Sequence, residues 1–185
     1  MKQVPVEELV EAVRVTLDEN QVESEYLATG TDNMELDEMI RAKLVYAVRS
    51  ILEMCPVELL NTDALVLETD SQVKHVDRSG YIELPNNFLR LVSFKLASWN
   101  RAVTSAALEG STTDLMQRNS FTRGTPFKPV CVFGHRADGK RILEYFTAGR
   151  DDRGKPVHDI ERATYIPDPE VEHGTEGDLL SIPHL

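Results

Sequence analysis

The sequence holds only two cysteines, one tryptophan and 6% aromatic residues in 185. Cys55 and Cys131 lie far apart, with no C-x-x-C and no framework spacing, so a disulfide-rich class is excluded. Both read as small buried apolar residues. No apolar run exceeds a few residues, so nothing is expected to span a membrane. Met1-Lys2-Gln3-Val4-Pro5 does not lead into an apolar stretch with a small-residue cleavage site, and no secretory signal is expected.

Signatures of chemistry are equally sparse. His75, His135, His158, His173 and His184 form neither H-x-H nor H-E-x-x-H, and G-x-S-x-G is missing. Gly134 to Lys140 match G-x-x-x-x-G-K by letter. A phosphate loop needs Ser or Thr next, then a helix whose first amides cradle the phosphate. Arg141 follows instead, and strand-like residues follow it, so the segment reads as a hairpin tip. Asp151-Asp152 and Asp168, Glu170, Glu172 read as solvated loop carboxylates, since metal-dependent hydrolysis needs such groups gathered in a dry cleft. No catalytic residue, cofactor or metal ligand is expected, and the reading is not that of an enzyme.

What the chain does have is charge, unevenly laid out. Thirty-one acidic residues against twenty basic ones give −11. Residues 1–70 carry 5 basic and 16 acidic side chains, residues 71–162 carry 15 and 10, and residues 163–185 carry none and 5. The layout fits two solvated acidic ends. It fits equally a head-to-tail assembly in which an acidic end meets the basic middle of a neighbouring copy. A net charge of −11 opposes a grip on nucleic acid along the whole length, because the phosphate backbone is densely negative. Within the basic middle, Arg118, Arg123, Lys128, Arg136, Lys140 and Arg141 face Asp138 alone, with Phe121, Phe127 and Phe133 between them. Such interleaving suits stacking on single strands or a basic contact surface for an acidic protein; Phe133 reads as core.

Periodicity supplies the elements. Pro5, Glu7 and Glu8 favour a helix start, and Val6, Leu9, Val10, Val13 and Leu17 recur at helical spacing over 5–18. Residues 18–33 read as a connection. Asp32-x-x-Glu35 resembles a capping box, opening a long helix over 34–55 that Pro56 ends. Its Leu36, Met39, Ile40, Leu44, Ala47, Val48, Ile51 and Leu52 form one wide apolar stripe, for core burial or a subunit contact. Residues 72–76 and 80–84 read as strands around Asp77-Arg78-Ser79, 85–90 as one helical turn, and 91–98 as a strand with Val92, Phe94 and Leu96 inward. Ser111 to Asp114 cap a short helix over 112–119. Residues 129–147 read as a hairpin, with Asp138-Gly139 favouring a type I′ turn. Residues 149–157 read as a polar loop and 160–166 as a last strand. The predicted class is α+β: N-terminal helices packed with a mostly antiparallel sheet, one short internal helix and an extended acidic tail. One domain over 1–166 and a tail over 167–185 are expected.

The stretch Gly80-Tyr81-Ile82-Glu83-Leu84-Pro85-Asn86-Asn87-Phe88-Leu89-Arg90-Leu91-Val92-Ser93-Phe94-Lys95-Leu96 resembles a recurrent element of tailed-phage neck proteins: a strand ending in Leu-Pro, a polar pair, Phe-Leu-Arg and another strand. The surroundings are similar too: a long helix ending before Pro56, a strand closed by Trp99, a short helix with Gln117-Arg118-Asn119, Lys128-Pro129-Val130 and Leu143-Glu144-Tyr145-Phe146. Over roughly residues 35–166 the chain resembles the head-to-tail adaptor, or connector ring, proteins of tailed bacteriophages, with the short-tailed crAss-like gut phages as the nearest type. It departs in Asn87, where the family has an acidic residue, and in lacking a clear C-terminal helix for docking on the portal. The resemblance implies a virion structural protein, made in the host cytoplasm and built into the neck. It implies a ring, a dodecamer of twelve copies, that binds beneath the portal protein, meets further neck or tail proteins, and extends the channel through which genomic DNA passes without sequence-specific binding during ejection. No membrane is involved. Leu84, Pro85, Phe88, Leu89, Arg90 and Trp99 would be the motif's structural residues. Leu44, Val48, Ile51, Arg118, Arg123 and Lys128 are the expected subunit or portal contacts. Another head-completion or tail protein and an acidic protein-binding module are the alternatives.

Overall fold

A computed structural model of the chain describes residues 2–17, 32–60, 65–67, 70–174 and 177–182. The fold is α+β. The chain divides into two compact units, residues 1–63 with 168–185, and residues 64–167.

In the first unit, strand β1 (Lys2–Pro5) runs into helix α1 (Val6–Thr16), and helix α2 spans Asp32–Met54. Pro5 sits at the cap position of α1, where its missing N–H costs no helical bond. The segment expected to trail off as a tail instead forms strands β12 (Glu170–Gly174) and β13 (Gly177–Ile182). Strand β13 lies between β12 and β1, antiparallel to both, with Leu180 opposite Val4 and Val171. The reason is burial. Val6, Val10 and Leu180 are each under 5% exposed and share one cluster with Leu9, Ile40, Leu44, Val45, Val48 and Val171. Helix α1 is amphipathic and needs an apolar lid; Leu180 and Val171 provide part of it. The two acidic ends of the sequence thus belong to one unit. Five basic against nineteen acidic residues give that unit −14; fifteen against twelve give the other +3.

In the second unit, the three-stranded antiparallel sheet is ordered β2 (Leu65–Val66), β11 (Ile160–Pro167), β5 (Phe88–Leu96). The five-stranded sheet is ordered β3 (Val73–Lys74), β4 (Gly80–Glu83), β8 (Arg141–Tyr145), β7 (Cys131–His135), β6 (Ala107–Leu108). Among the described residues only the β6–β7 pair is parallel. One cluster built on Ile82, Phe94, Leu96, Trp99, Leu143 and Tyr145 forms the core. Each such side chain contributes about 1.5–3 kcal/mol by leaving water. Cys131 is fully buried in it, which pushes its thiol pKa up; Cys55 is half-buried.

Four local expectations change. Residues 85–90 are not a helical turn: Phe88 N–H donates to the Pro85 carbonyl at 3.1 Å, closing a single turn, and the chain extends at once because Phe88 already pairs with Pro167. The inward face of β5 is Leu91, Phe94 and Leu96, with Val92 only half-buried, because the pairing with β11 shifts by one residue between Ser93 and Leu91. Such a bulge breaks the period of two. The β7–β8 turn is not type I′, which needs positive φ at two residues. Only Gly139 has it, at 84°, after a Gly139-to-Arg136 turn bond and inside an Arg136-to-Lys140 pair. That is the three-residue hairpin with a glycine bulge. Finally, the polar loop 149–157 holds a small hairpin, β9 (Gly149–Arg150) with β10 (Pro156–Val157), whose turn Asp151 caps by accepting from the Arg153 and Lys155 amides.

Candidate interaction surface

The Leu-Pro element is held by the β7–β8 hairpin. Glu83, at the end of β4, accepts from Lys140 Nζ at 2.8 Å and from Arg136 Nη1 at 2.5 Å. The hydrogen bond and charge of Lys140 hold the Glu83 carboxyl below its usual range, and Glu83 raises Lys140 in return. Arg141 Nη2 donates to the carbonyls of Pro85 and Asn86 at 3.3 and 2.9 Å, with its guanidinium 5.9 Å from the Phe88 ring centre. Leu84 and Phe88 are buried, Pro85, Leu89 and Arg90 half-buried. Trp99 is buried and donates Nε1–H to the Thr147 carbonyl at 2.7 Å. All six motif residues belong to the second unit.

A second constellation surrounds Phe146. Helix α3 (Thr112–Arg118) is capped by the Ser111 hydroxyl, which accepts from the Asp114 amide, as the sequence predicts. Its last residue, Arg118, reaches Asp114 at 2.9 Å and Glu144 at 2.6 Å, and stands 5.2 Å from the Phe146 ring centre. Burial opposes the charge of Arg118, but Glu144 and then Asp114 outweigh it and raise its pKa. Arg123 lies 5.9 Å from the same ring centre and pairs with Asp77 at 3.1 Å. Hydrogen bonds from the Ser79 hydroxyl and amide, then from Arg123, hold the Asp77 carboxyl low. The loop after α3 is pinned by Arg123 Nε to the Gln117 carbonyl at 2.7 Å, the Gly124 amide to Gln117 Oε1 at 2.8 Å, and the Thr147 hydroxyl to the Gly124 carbonyl at 2.6 Å. This pinned loop carries Phe121 at 95% exposure and Phe127 at 69%. The expected basic surface is therefore largely neutralised within the chain: Arg118, Arg123, Arg136 and Lys140 all have carboxylate partners. Lys128 stays exposed, and Phe133 is half-buried, edge-on to Phe88.

On α2 the wide stripe splits. Leu44 and Val48 pack with α1, but Ile51 is 53% exposed. Met39, Tyr46 and Met54 are more exposed still. They occupy i, i+7 and i+15, within roughly 80° of arc at 3.6 residues per turn. The expected contact residues thus form two groups: Leu44, Val48 and Ile51 on one helix of the first unit, and Arg118, Arg123 and Lys128 around one loop of the second.

Two features escaped the sequence reading. Arg78 has φ of 75°, a left-handed conformation without glycine. The Asp77-Arg78-Ser79 turn was legible, its backbone sign was not. And Gln72, Tyr145 and His158, from three separate segments, form one hydrogen-bonded chain, buried at its Tyr145–His158 end. Of the other described histidines, His135 bonds Glu109, His173 bonds Asp178, and His75 packs near Tyr81 and interacts with His158. His184 lies outside the described residues. Among the described residues no three His, Cys, Asp or Glu side chains gather as metal ligands, and no helix is long and apolar enough to cross a membrane. No family model, curated protein or solved structure matches the chain.

Proposed function

We propose that this protein is a structural component that works by assembling with copies of itself, as a head-to-tail adaptor ring in the neck of a tailed phage, seated beneath the portal and leading DNA towards the tail. The observation that carries the assembly reading is α2, which packs Leu44 and Val48 inward and presents Met39, Tyr46 and Met54 outward. Large apolar side chains aligned on an exposed helix face mark a protein contact. Charge supports it: a unit of −14 joined to one of +3 favours copies meeting head to tail, and a heterologous contact that closes makes a ring. The phage neck is the particular setting that the Gly80–Leu96 element favours. The test is the mass of the full chain by light scattering, alone and with purified portal, followed by cryo-electron microscopy of the complex. A ring on the portal is the expected result. A chain that stays monomeric and never joins a portal overturns the proposal.

A further inference from the structure

Between the Asp77-Arg78-Ser79 turn and the loop after α3 lies a groove of about 380 Å³, lined by Arg78, Phe121, Arg123, Pro126, Phe146 and others, all in the second unit. Arg78 is the only non-glycine residue with positive φ among the described residues. Side chains at such a position add roughly 1–2 kcal/mol of strain, and strain of this kind gathers at binding sites. The turn would form more easily with glycine. What glycine would not supply is the guanidinium in the groove. Among the described residues only its Nε is engaged, donating to the Ala148 carbonyl at 2.7 Å, which fixes the side chain and leaves the two Nη groups as donors. The neighbouring cation, Arg123, already has Asp77 as its partner. Phe121, 95% exposed on a loop pinned by hydrogen bonds, stands at the groove's rim. An exposed aromatic on a hydrogen-bonded loop, beside a guanidinium held only through its Nε, is the composition of an interface anchor.

We infer that this groove is a docking site for an acidic segment of a second copy of the chain, with Arg78 Nη groups taking a carboxylate and Phe121 anchoring the apolar neighbour. The occupant follows from charge: the chain's own first unit carries −14, against +3 for the unit that holds the groove. Nucleic acid is disfavoured as occupant because the groove's lining holds two cations, Arg78 and Arg123, of which Arg123 is already paired with Asp77, whereas a phosphate backbone is gripped by many. The inference rests on the self-assembly reading above and names the surface that such assembly uses.

The experiment is sedimentation of the full chain over a concentration series at low and high salt, for wild type, Arg78→Gly and Phe121→Ser. Glycine accepts the turn's backbone, and Phe121 touches little, so both variants should fold; circular dichroism checks this. Wild type should associate, more weakly at high salt, and each variant should raise the dissociation constant about tenfold or more. Wild-type association that neither variant alters overturns the groove and leaves the adaptor reading standing. An effect of Phe121→Ser alone removes the role of Arg78 and overturns the proposal. A monomeric wild type at every concentration overturns both readings. Binding of a short single-stranded DNA to wild type but not to Arg78→Gly assigns the groove to nucleic acid and overturns it as well.

Discussion

The hydroxyl of Tyr145 lies 2.9 Å from Nδ1 of His158, and a third residue ties the pair together. Gln72 Nε2 donates to the Tyr145 oxygen at 2.9 Å and to the His158 carbonyl at 2.7 Å. His158 Nε2 finds no hydrogen-bond partner of ordinary geometry among the described residues. Burial, then the charge of Lys74, lowers the His158 pKa from 6.5, and burial pushes Tyr145 up to about 12.

Stability should therefore fall in mild acid. The unfolded chain protonates His158 near 6.5 and the folded chain only at lower pH. In that window unfolding takes up a proton, so this contribution is complete above 6.5 and is lost as pH falls towards the folded value. The slope is at most about 1.4 kcal/mol per pH unit. Urea unfolding between about pH 5.5 and 7.5 measures it. His158→Gln should flatten the profile; an unchanged slope in that variant rejects the assignment.

Gly80 has no room for a side chain. A Cβ there would meet the Tyr145 hydroxyl and stand 2.5 Å from the Val73 carbonyl. Gly80→Ala should destabilise by about 2–3 kcal/mol, as overpacking does, seen as a lower denaturation midpoint. Gly110→Ala meets nothing within 4 Å and carries only the strain of its own φ of 76°, which Gly80 does not have, so the pair separates overpacking from backbone strain.

The C-terminal hairpin should be indispensable to the first unit. Leu180 is fully buried, so Leu180→Ala should cost about 2–5 kcal/mol. Removing residues 168–185 should bare Val6 and Val10 and raise the binding of a hydrophobic dye. A truncated chain with unaltered helix content and no dye signal would contradict this packing.

Two aspartate substitutions on α2 should behave differently. Leu44 packs into the cluster of α1, so Leu44→Asp should prevent folding of that unit. Ile51 is 53% exposed, so Ile51→Asp should fold normally and lose self-association alone. Melting and light-scattering mass, measured together, separate the two effects.

Much of this molecule was legible in the sequence wherever the determinant is local. The spacing of Val6, Leu9 and Val10 specifies α1, Ser111 specifies the start of α3, and the apolar runs on either side of Asp138-Gly139 specify the β7–β8 hairpin. Those signals act within a few residues, through caps, turns and side-chain period. What only the tertiary structure decided is whatever needs partners distant in sequence. Residues 170–174 and 177–182 have little period of their own and become strands because β1 and α1 offer Leu180 and Val171 a place to bury. The bulge that turns Leu91 inward comes from pairing with β11, seventy residues on, and the stripe of α2 divides because α1 covers only one side of it. Four cations of the basic middle, Arg118, Arg123, Arg136 and Lys140, are matched by Glu144, Asp77 and Glu83, because the fold brings these carboxylates within reach. A linear pattern sets which face can be buried; the fold sets which face is.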